Sequence, residues 1–370
     1  MRVLFCDDEP RILEALENLL FDAPDDWEFE FAVGGECAIR HLGESFFDVL
    51  VTDMCMPTVD GLAVLAAAQD LAPGTVRVVL SGHTTEDAAR EAMARVHEFL
   101  SKPCKPDELM RVLSRCDELR RNASEQALAK AVGNVGALPS RPETHARVVA
   151  MLDKGDGLDD VATVIAGEMA IATKLLHVAN TSFYARGRAV SSVQEAVRRL
   201  GSKTVLALVL AVETYERFEV PIWLNLENMH AHSQEVGMLA AQLVPRELQP
   251  AALLAGLLHD VGVLLMAAYF PEQAERAHSE GLANSHLEHA SLGFGHGALG
   301  GHLLRLWNIG DDIALAVEQH HHPFAERSEL GRAIFAADRA VHNETDDSDL
   351  SDEDQAVIAR AREVLLAGAV

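Results

Sequence analysis

The chain has 370 residues, an apolar fraction of 49% and a formal net charge of −26. That length suggests two or three domains with room for a sizeable core, and the acidic excess argues against a broad nucleic-acid or anionic-membrane surface. The five cysteines include no C-x-x-C pair, so a zinc cluster or a disulfide framework is not expected.

Residues 1 to 120 alternate strand and helix. Val3–Cys6 reads as a first strand ending in Asp7, Asp8 and Glu9, and Pro10 opens a helix with an apolar face at Ile12, Leu13, Leu16, Leu19 and Leu20. Glu28–Ala32 is a weaker strand and Glu36–Leu42 a short helix. Phe47–Thr52 is a buried strand that ends on Asp53 and is stopped by Pro57. A helix follows Asp60-Gly61, then come a strand over Val76–Leu80, a helix over Thr85–Met93, a short strand over Glu98–Ser101 and an amphipathic helix over Asp107–Leu119. Five such alternations predict a doubly wound α/β fold with a five-stranded parallel sheet.

Asp7, Asp8, Asp53, Ser81 and Lys102 all fall at the C-terminal ends of predicted strands, where such sheets form their ligand crevice. Three carboxylates in one crevice call for a divalent cation, and oxygen ligands suit Mg2+. A carboxylate can act as a nucleophile toward phosphorus, with Lys102 and Ser81 contacting the phosphoryl oxygens. Cys6, Cys55 and Cys104 flank this pocket and read as small, half-buried apolar residues.

Asp7-Asp8, Asp53 with Met56-Pro57 and Asp60-Gly61, Ser81-Gly82 and Lys102-Pro103 occur in the order of a CheY-like receiver domain of two-component response regulators, which this region resembles. The resemblance implies phosphorylation of Asp53 by a histidine kinase, and Mg2+ held by Asp7, Asp8, Asp53 and the backbone carbonyl of Cys55. It also implies a switch coupling Ser81 to Phe99, and a cis bond before Pro103.

Residues 121–136 are rich in Ala, Glu, Lys and Arg and read as a helical linker that continues the last receiver helix and could pair two copies into a homodimer. Residues 137–342 are almost wholly helical by pattern, with helices at Val161–Ile165, Ala170–Ala179, Val193–Leu200, Val205–Val212, Ser233–Leu243, Ala251–Leu265, Leu299–Trp307 and Ile313–His320. Histidine is concentrated here. His259-Asp260 falls inside an apolar helix, where the pair must be satisfied by partners or by metal. With His232, His296, His320, His321 and Asp338 it forms a candidate site for Fe, Mn or Zn, which could activate a water for phosphodiester hydrolysis.

The blocks Lys174–Tyr184, Glu195–Gly201, Leu257–Gly262, His296–Gly300 and Leu306–Ile309 resemble the HDOD domain, a relative of the metal-dependent HD phosphohydrolases. HD-GYP phosphodiesterases carry a lysine after the HD-x-G motif and a Gly-Tyr-Pro loop; here Val263 and His322-Pro323-Phe324 stand at those places. The resemblance therefore implies a signalling and protein-interaction module with an unidentified downstream protein partner, in preference to an enzyme. A receiver-gated phosphohydrolase, acting for example on a cyclic dinucleotide, is the alternative.

Residues 343–370 read as an acidic solvated loop and one terminal helix over Gln355–Leu366, with no assigned function. Early acid after Met1 disfavours a secretory leader, and no apolar run looks long enough to span a bilayer. The expectation is a cytoplasmic protein with neither a nucleic-acid nor a membrane partner.

Overall fold

A computed structural model describes residues 1–21, 23–81, 95–122, 142–180, 184, 190–215, 224–279, 285–307, 309–322, 327–345, 347 and 350–367. The helix expected over 85–93 and the linker beyond Asn122 lie outside them, as do the side chain of Ser81 and residues 323–326. The chain divides into two compact units, one built on residues 1–136, the other on residues 137–180 and 188–370.

The first unit contains β1 (Arg2–Asp7), α1 (Pro10–Leu19), β2 (Glu28–Val33), α2 (Gly35–Glu44), β3 (Val49–Thr52), α3 (Gly61–Leu71), β4 (Val76–Ser81), β5 (Glu98–Ser101) and α4 (Pro106–Asn122). The strands form one sheet in the order β2-β1-β3-β4-β5, and every neighbouring pair is parallel. Side chains alternate across it. Val3, Phe5, Val49 and Val51 join Leu13, Leu16, Leu109 and Leu113 of α1 and α4 in one core, whereas Leu4, Cys6 and Leu50 join Ala38, Leu42, Val64 and Ala68 of α2 and α3 in the other. The continuous apolar run of β3 is buried on both faces for this reason. The doubly wound fold read from the sequence is therefore present.

In the second unit every regular element among the described residues is a helix: α5 (Pro142–Lys154), α6 (Leu158–Ile165), α7 (Met169–Asn180), α8 (Val193–Tyr215), α9 (Leu226–Leu243), α10 (Gln249–Leu258), α11 (Val261–Tyr269), α12 (Pro271–Ser279), α13 (Ser285–Leu292), α14 (His296–Leu306), α15 (Asp311–Glu318), α16 (Glu329–Val341) and α17 (Asp352–Leu366). α8 is interrupted at Gly201, whose φ of 75° suits a residue without a side chain, so the two helices read there abut.

Three sequence readings need correction. The helix expected over Ala251–Leu265 is two helices that meet at His259-Asp260, so the pair sits in a turn and its side chains reach past the helix ends. Gln249–Tyr269 is also long and apolar enough to cross a bilayer by composition, contrary to the sequence reading; yet 83% of its most apolar window is buried within the protein. The acidic stretch before the last helix is not wholly solvated. Asp354 in α17 is only 5% exposed and pairs with Arg327 at 3.0 Å and Arg332 at 3.2 Å.

Close backbone approach explains two glycines in the helical unit. A Cβ on Gly256 of α10 would stand 2.3 Å from the Gly237 Cα of α9, and one on Gly262 of α11 would stand 1.9 Å from the carbonyl oxygen of His296. These crossings bring α9, α11 and the start of α14 close around the His259-Asp260 turn.

Candidate functional site

In the first unit, β1 and β3 lie side by side, with Cys6 opposite Thr52, and the chain leaves them in opposite directions across the sheet. This is the switch point at which a doubly wound sheet opens a crevice. Asp7 ends β1 and Asp53 follows β3; both are buried. Backbone geometry holds them outward. Glu9 N–H donates to Asp7 Oδ1 at 2.9 Å, and Cys55 N–H donates to Asp53 Oδ2 at 2.8 Å. Asp60 caps α3 by accepting from Ala63 N–H at 2.9 Å, and Gly61 lies so close that a Cβ there would meet the Asp53 carbonyl at 2.2 Å. That contact is a physical reason for glycine after Asp60.

Lys102 joins the two carboxylates, its Nζ standing 2.5 Å from Asp7 Oδ2 and 2.8 Å from Asp53 Oδ1. Burial works against its charge, but the hydrogen bonds to Asp53 and Asp7 outweigh it and hold Lys102 above the ordinary lysine range. The peptide bond before Pro103 is cis. Phe99 is buried in β5 opposite Val79. Asp8 is half-buried just past β1, and Cys55 is exposed beside Asp53. Ser81 ends β4, with its backbone paired to Ser101.

One ammonium between two buried carboxylates leaves net negative charge, and Asp8 adds to it. That surplus and the all-oxygen donors fit Mg2+. Asp7, Asp8 and Asp53 do not themselves close into a tight donor cluster; among the described residues such clusters occur in the helical unit.

There the seven predicted residues come together. His232 projects from α9, His259 and Asp260 from the α10–α11 turn, His296 from the first position of α14, His320 and His321 from the turn after α15, and Asp338 from α16. Their donor atoms form two groups, each within 4.8 Å internally: Asp260, His296, His320 and His321, and His232, His259 and Asp338. Asp260 links them. Its Oδ1 stands 3.5 Å from His296 Nε2 and 3.6 Å from His320 Nε2, and its Oδ2 stands 3.3 Å from His259 Nε2 and 4.0 Å from His232 Nε2. Asp338 Oδ1 adds contacts to His232 at 3.1 Å and His259 at 3.6 Å.

The far sides of the rings fix their chemistry. His259 Nδ1 donates to the Gly256 carbonyl at 2.6 Å, and His320 Nδ1 donates to the Val317 carbonyl at 2.5 Å. Each ring that spends its Nδ1 proton this way presents its Nε2 inward, as a lone pair when the ring is neutral. Inward-facing nitrogens meet closely: His232 and His259 Nε2 at 3.2 Å, and His296 and His320 Nε2 at 3.2 Å. Nitrogens that close need a proton or a cation between or beside them. Buried Asp338 Oδ2 accepts no hydrogen bond among the described residues. Mixed imidazole and carboxylate donors with an orphaned buried oxygen fit Fe, Mn or Zn.

Burial favours neutral imidazole, but at His259 the carboxylates of Asp260 and Asp338 outweigh it and raise the ring well above the ordinary histidine value. Burial also opposes charge at His296, yet Glu288 and Asp260 push it up to about 10. Burial lowers His320 and His321, and neighbouring imidazoles reinforce that. Burial would raise Asp260, but the His259 charge and hydrogen bonds from His259, His296 and His320 hold it well below the carboxylate range.

Two residues of this site were not found from the sequence. Glu288 is buried against His296, and His342 Nδ1 stands 3.0 Å from Asp338 Oδ1. His342 follows Asp338 by one helical turn, a spacing that could have signalled it. Glu288 lies outside every motif read.

Comparison with known proteins agrees with both halves. The response regulator receiver domain family matches residues 3–114, and the HDOD domain family matches residues 138–323, half of the chain. The chain belongs to the HDOD family. It is a response regulator with an HDOD output domain behind its receiver. The transcriptional regulatory protein GlrR of Escherichia coli (strain K12) is 27% identical over 152 residues, 41% of this chain and 34% of that protein. The response regulator receiver protein Anae109_2439 of Anaeromyxobacter sp. (strain Fw109-5) is 31% identical over 112 residues, 30% of this chain and 45% of that protein. The chain thus spans about a third to a half of these curated relatives. Among solved structures, a Campylobacter jejuni virulence factor (cj0248) aligns with a TM-score of 0.52 at 18% identity, over 65% of this chain and 90% of its own, a likeness of fold. The MmoQ response regulator of Methylococcus capsulatus str. Bath aligns with a TM-score of 0.49 at 21% identity, over 61% of this chain and 93% of its own.

Proposed function

We propose that this HDOD response regulator is switched by phosphorylation of Asp53. An Asp53 oxygen attacks the phosphorus of a histidine kinase's phosphohistidine; the P–O bond forms, the P–N bond breaks, and the freed imidazole takes a proton. Asp7, Asp8, Asp53 and the Cys55 carbonyl would hold Mg2+, which supplies charge neutralisation to the transferring group. Lys102 pairs with a phosphoryl oxygen in place of its contact with Asp53. Ser81 and Phe99 take part in the switch, and Pro103 shapes the Lys102 turn. The HDOD domain then changes how it meets a downstream protein partner or a second copy, with the linker over residues 121–136 as the dimer-forming element. The observation that carries this reading is the Lys102 ammonium shared by Asp7 and Asp53 in the switch-point crevice. Beryllofluoride with Mg2+ should shift the spectrum and hydrodynamic behaviour of wild type and leave Asp53→Ala unmoved. Equal responses in the two proteins would overturn the reading.

The convergence of seven donors favours a second property: the HDOD domain would hold metal, with Asp260 standing between the two donor groups. Fe, Mn or Zn there would supply Lewis acidity for phosphoester hydrolysis. His232, His259 and Asp338 would hold one ion and Asp260, His296, His320 and His321 the other. Val263 and His322 replace the lysine and the Gly-Tyr-Pro loop of the phosphodiesterases, so signalling remains the first reading. Metal analysis of the purified protein, followed by cyclic-dinucleotide hydrolysis assays on wild type, His259→Ala and Asp260→Ala, separates the two. Turnover in wild type that both variants lose would establish the enzyme.

A further inference from the structure

We infer that Glu288 is a positioning residue that makes the metal position formed by Asp260, His296, His320 and His321 the stronger of the two. This rests on the reading that the HDOD centre holds metal.

Glu288 sits on α13, 2% exposed. Its carboxylate holds His296 by two groups at once. Oε2 accepts the His296 backbone N–H at 2.9 Å, and the ring Nδ1–H donates to Oε2 at 2.8 Å and Oε1 at 3.0 Å. Since His296 opens α14, the same carboxylate also sits at the positive end of that helix. Backbone and ring are therefore both fixed, and the Nε2 lone pair is left facing Asp260 and His320.

Two of the other inward rings are held differently. Nδ1 of His259 and of His320 meets a neutral carbonyl three residues earlier in the chain. A carboxylate acceptor draws the Nδ1 proton more strongly than a carbonyl does and raises electron density at Nε2, which strengthens the ligand. The two halves of the centre are consequently unequal, although a sequence motif would present them as equivalent.

Manganese binding to the full-length, metal-stripped protein tests this by calorimetry. Wild type should take up two Mn2+ in two resolved steps. Glu288→Gln should weaken the tighter step about 10- to 100-fold and leave the weaker one in place. His232→Ala should do the reverse. In wild-type crystals given one equivalent of Mn2+, the anomalous signal should lie at Asp260, His296, His320 and His321, a readout that needs no variant to fold. The inference is overturned if Glu288→Gln binds like wild type, if it weakens both steps alike, or if the first equivalent lies at His232, His259 and Asp338. Absence of Mn2+ uptake by wild type would overturn the metal reading itself.

Discussion

The Lys102 ammonium lies 2.8 Å from Asp53, and it reaches there from the loop after β5, on the far side of β4 from Asp53. It also pairs with Asp7 at 2.5 Å, so a single cation compensates two carboxylates whose side chains are 3% and 8% exposed. Removing it by Lys102→Met leaves two buried like charges facing each other. Breaking a buried pair from one side costs about 3 kcal/mol or more, discounted here because Lys102 is one-fifth exposed. A loss of about 2 kcal/mol is expected in urea unfolding without divalent ions. Mg2+ should restore more stability to the variant than to wild type, because it takes over the vacated charge.

Gly262→Ala tests whether the centre depends on helix proximity. The added Cβ would fall 1.9 Å from the His296 carbonyl oxygen, a backbone atom that no rotamer change can move. α11 and α14 must then separate, at a cost of about 3 kcal/mol. Thermal unfolding should show that loss, and metal uptake should fall because His296 moves with its backbone. Gly43→Ala is the control: nothing lies within 4 Å of that position, so stability should hold or rise.

These contacts show why parts of the molecule were legible and parts were not. Asp7, Asp53 and Lys102 could be read as neighbours because each stands at or just past a strand end, and a parallel sheet gathers those ends along one edge. The His-Asp cluster was legible by its residue types, and its donor atoms do converge. The break between α10 and α11 was not, since Leu258, Val261 and their neighbours are apolar all round and carry no period that could show a turn. Glu288 gave no signal, because a buried carboxylate acting through another residue has no spacing rule. Asp354 was hidden in an acidic run, where composition suggests solvent and only packing shows burial.

His302 gives a pH dependence with a definite sign. It is 8% exposed on α14, and burial, reinforced by the Arg305 charge, lowers it from 6.5 to about 4. A histidine depressed in the folded state protonates first in the unfolded chain. Its neutral form therefore costs nothing above about pH 7, and stability falls as pH drops from 6.5 toward 4. The slope approaches about 1.4 kcal/mol per pH unit. His302→Leu keeps the packing and removes the titration. Unfolding midpoints of variant and wild type compared between pH 7 and pH 5 should diverge in favour of the variant at the acid end. A constant difference would show that His302 does not titrate in that window.

The C-terminal helix offers a comparison within a single turn. Asp354 and Glu353 are adjacent in α17, and both pair with Arg332, at 3.2 Å and 2.6 Å. Distance alone would rank Glu353 higher. Its side chain is 74% exposed, however, and solvent screens such pairs to about 0.5 kcal/mol or less. Asp354 is buried, donates its backbone N–H to the capping Ser351 Oγ, and is an anion beside Arg327, whose side chain is wholly buried. That guanidinium stacks 3.6 Å from the Phe335 ring centroid and donates to the carbonyl of His322, next to His320 and His321. Asp354→Ala leaves it buried beside an apolar ring with an anion removed, at a cost of about 3 kcal/mol. Urea midpoints should therefore fall sharply for Asp354→Ala and barely for Glu353→Ala. Comparable losses in both would mean that α17 is held by its exposed charges and not by the Asp354–Arg327 pair.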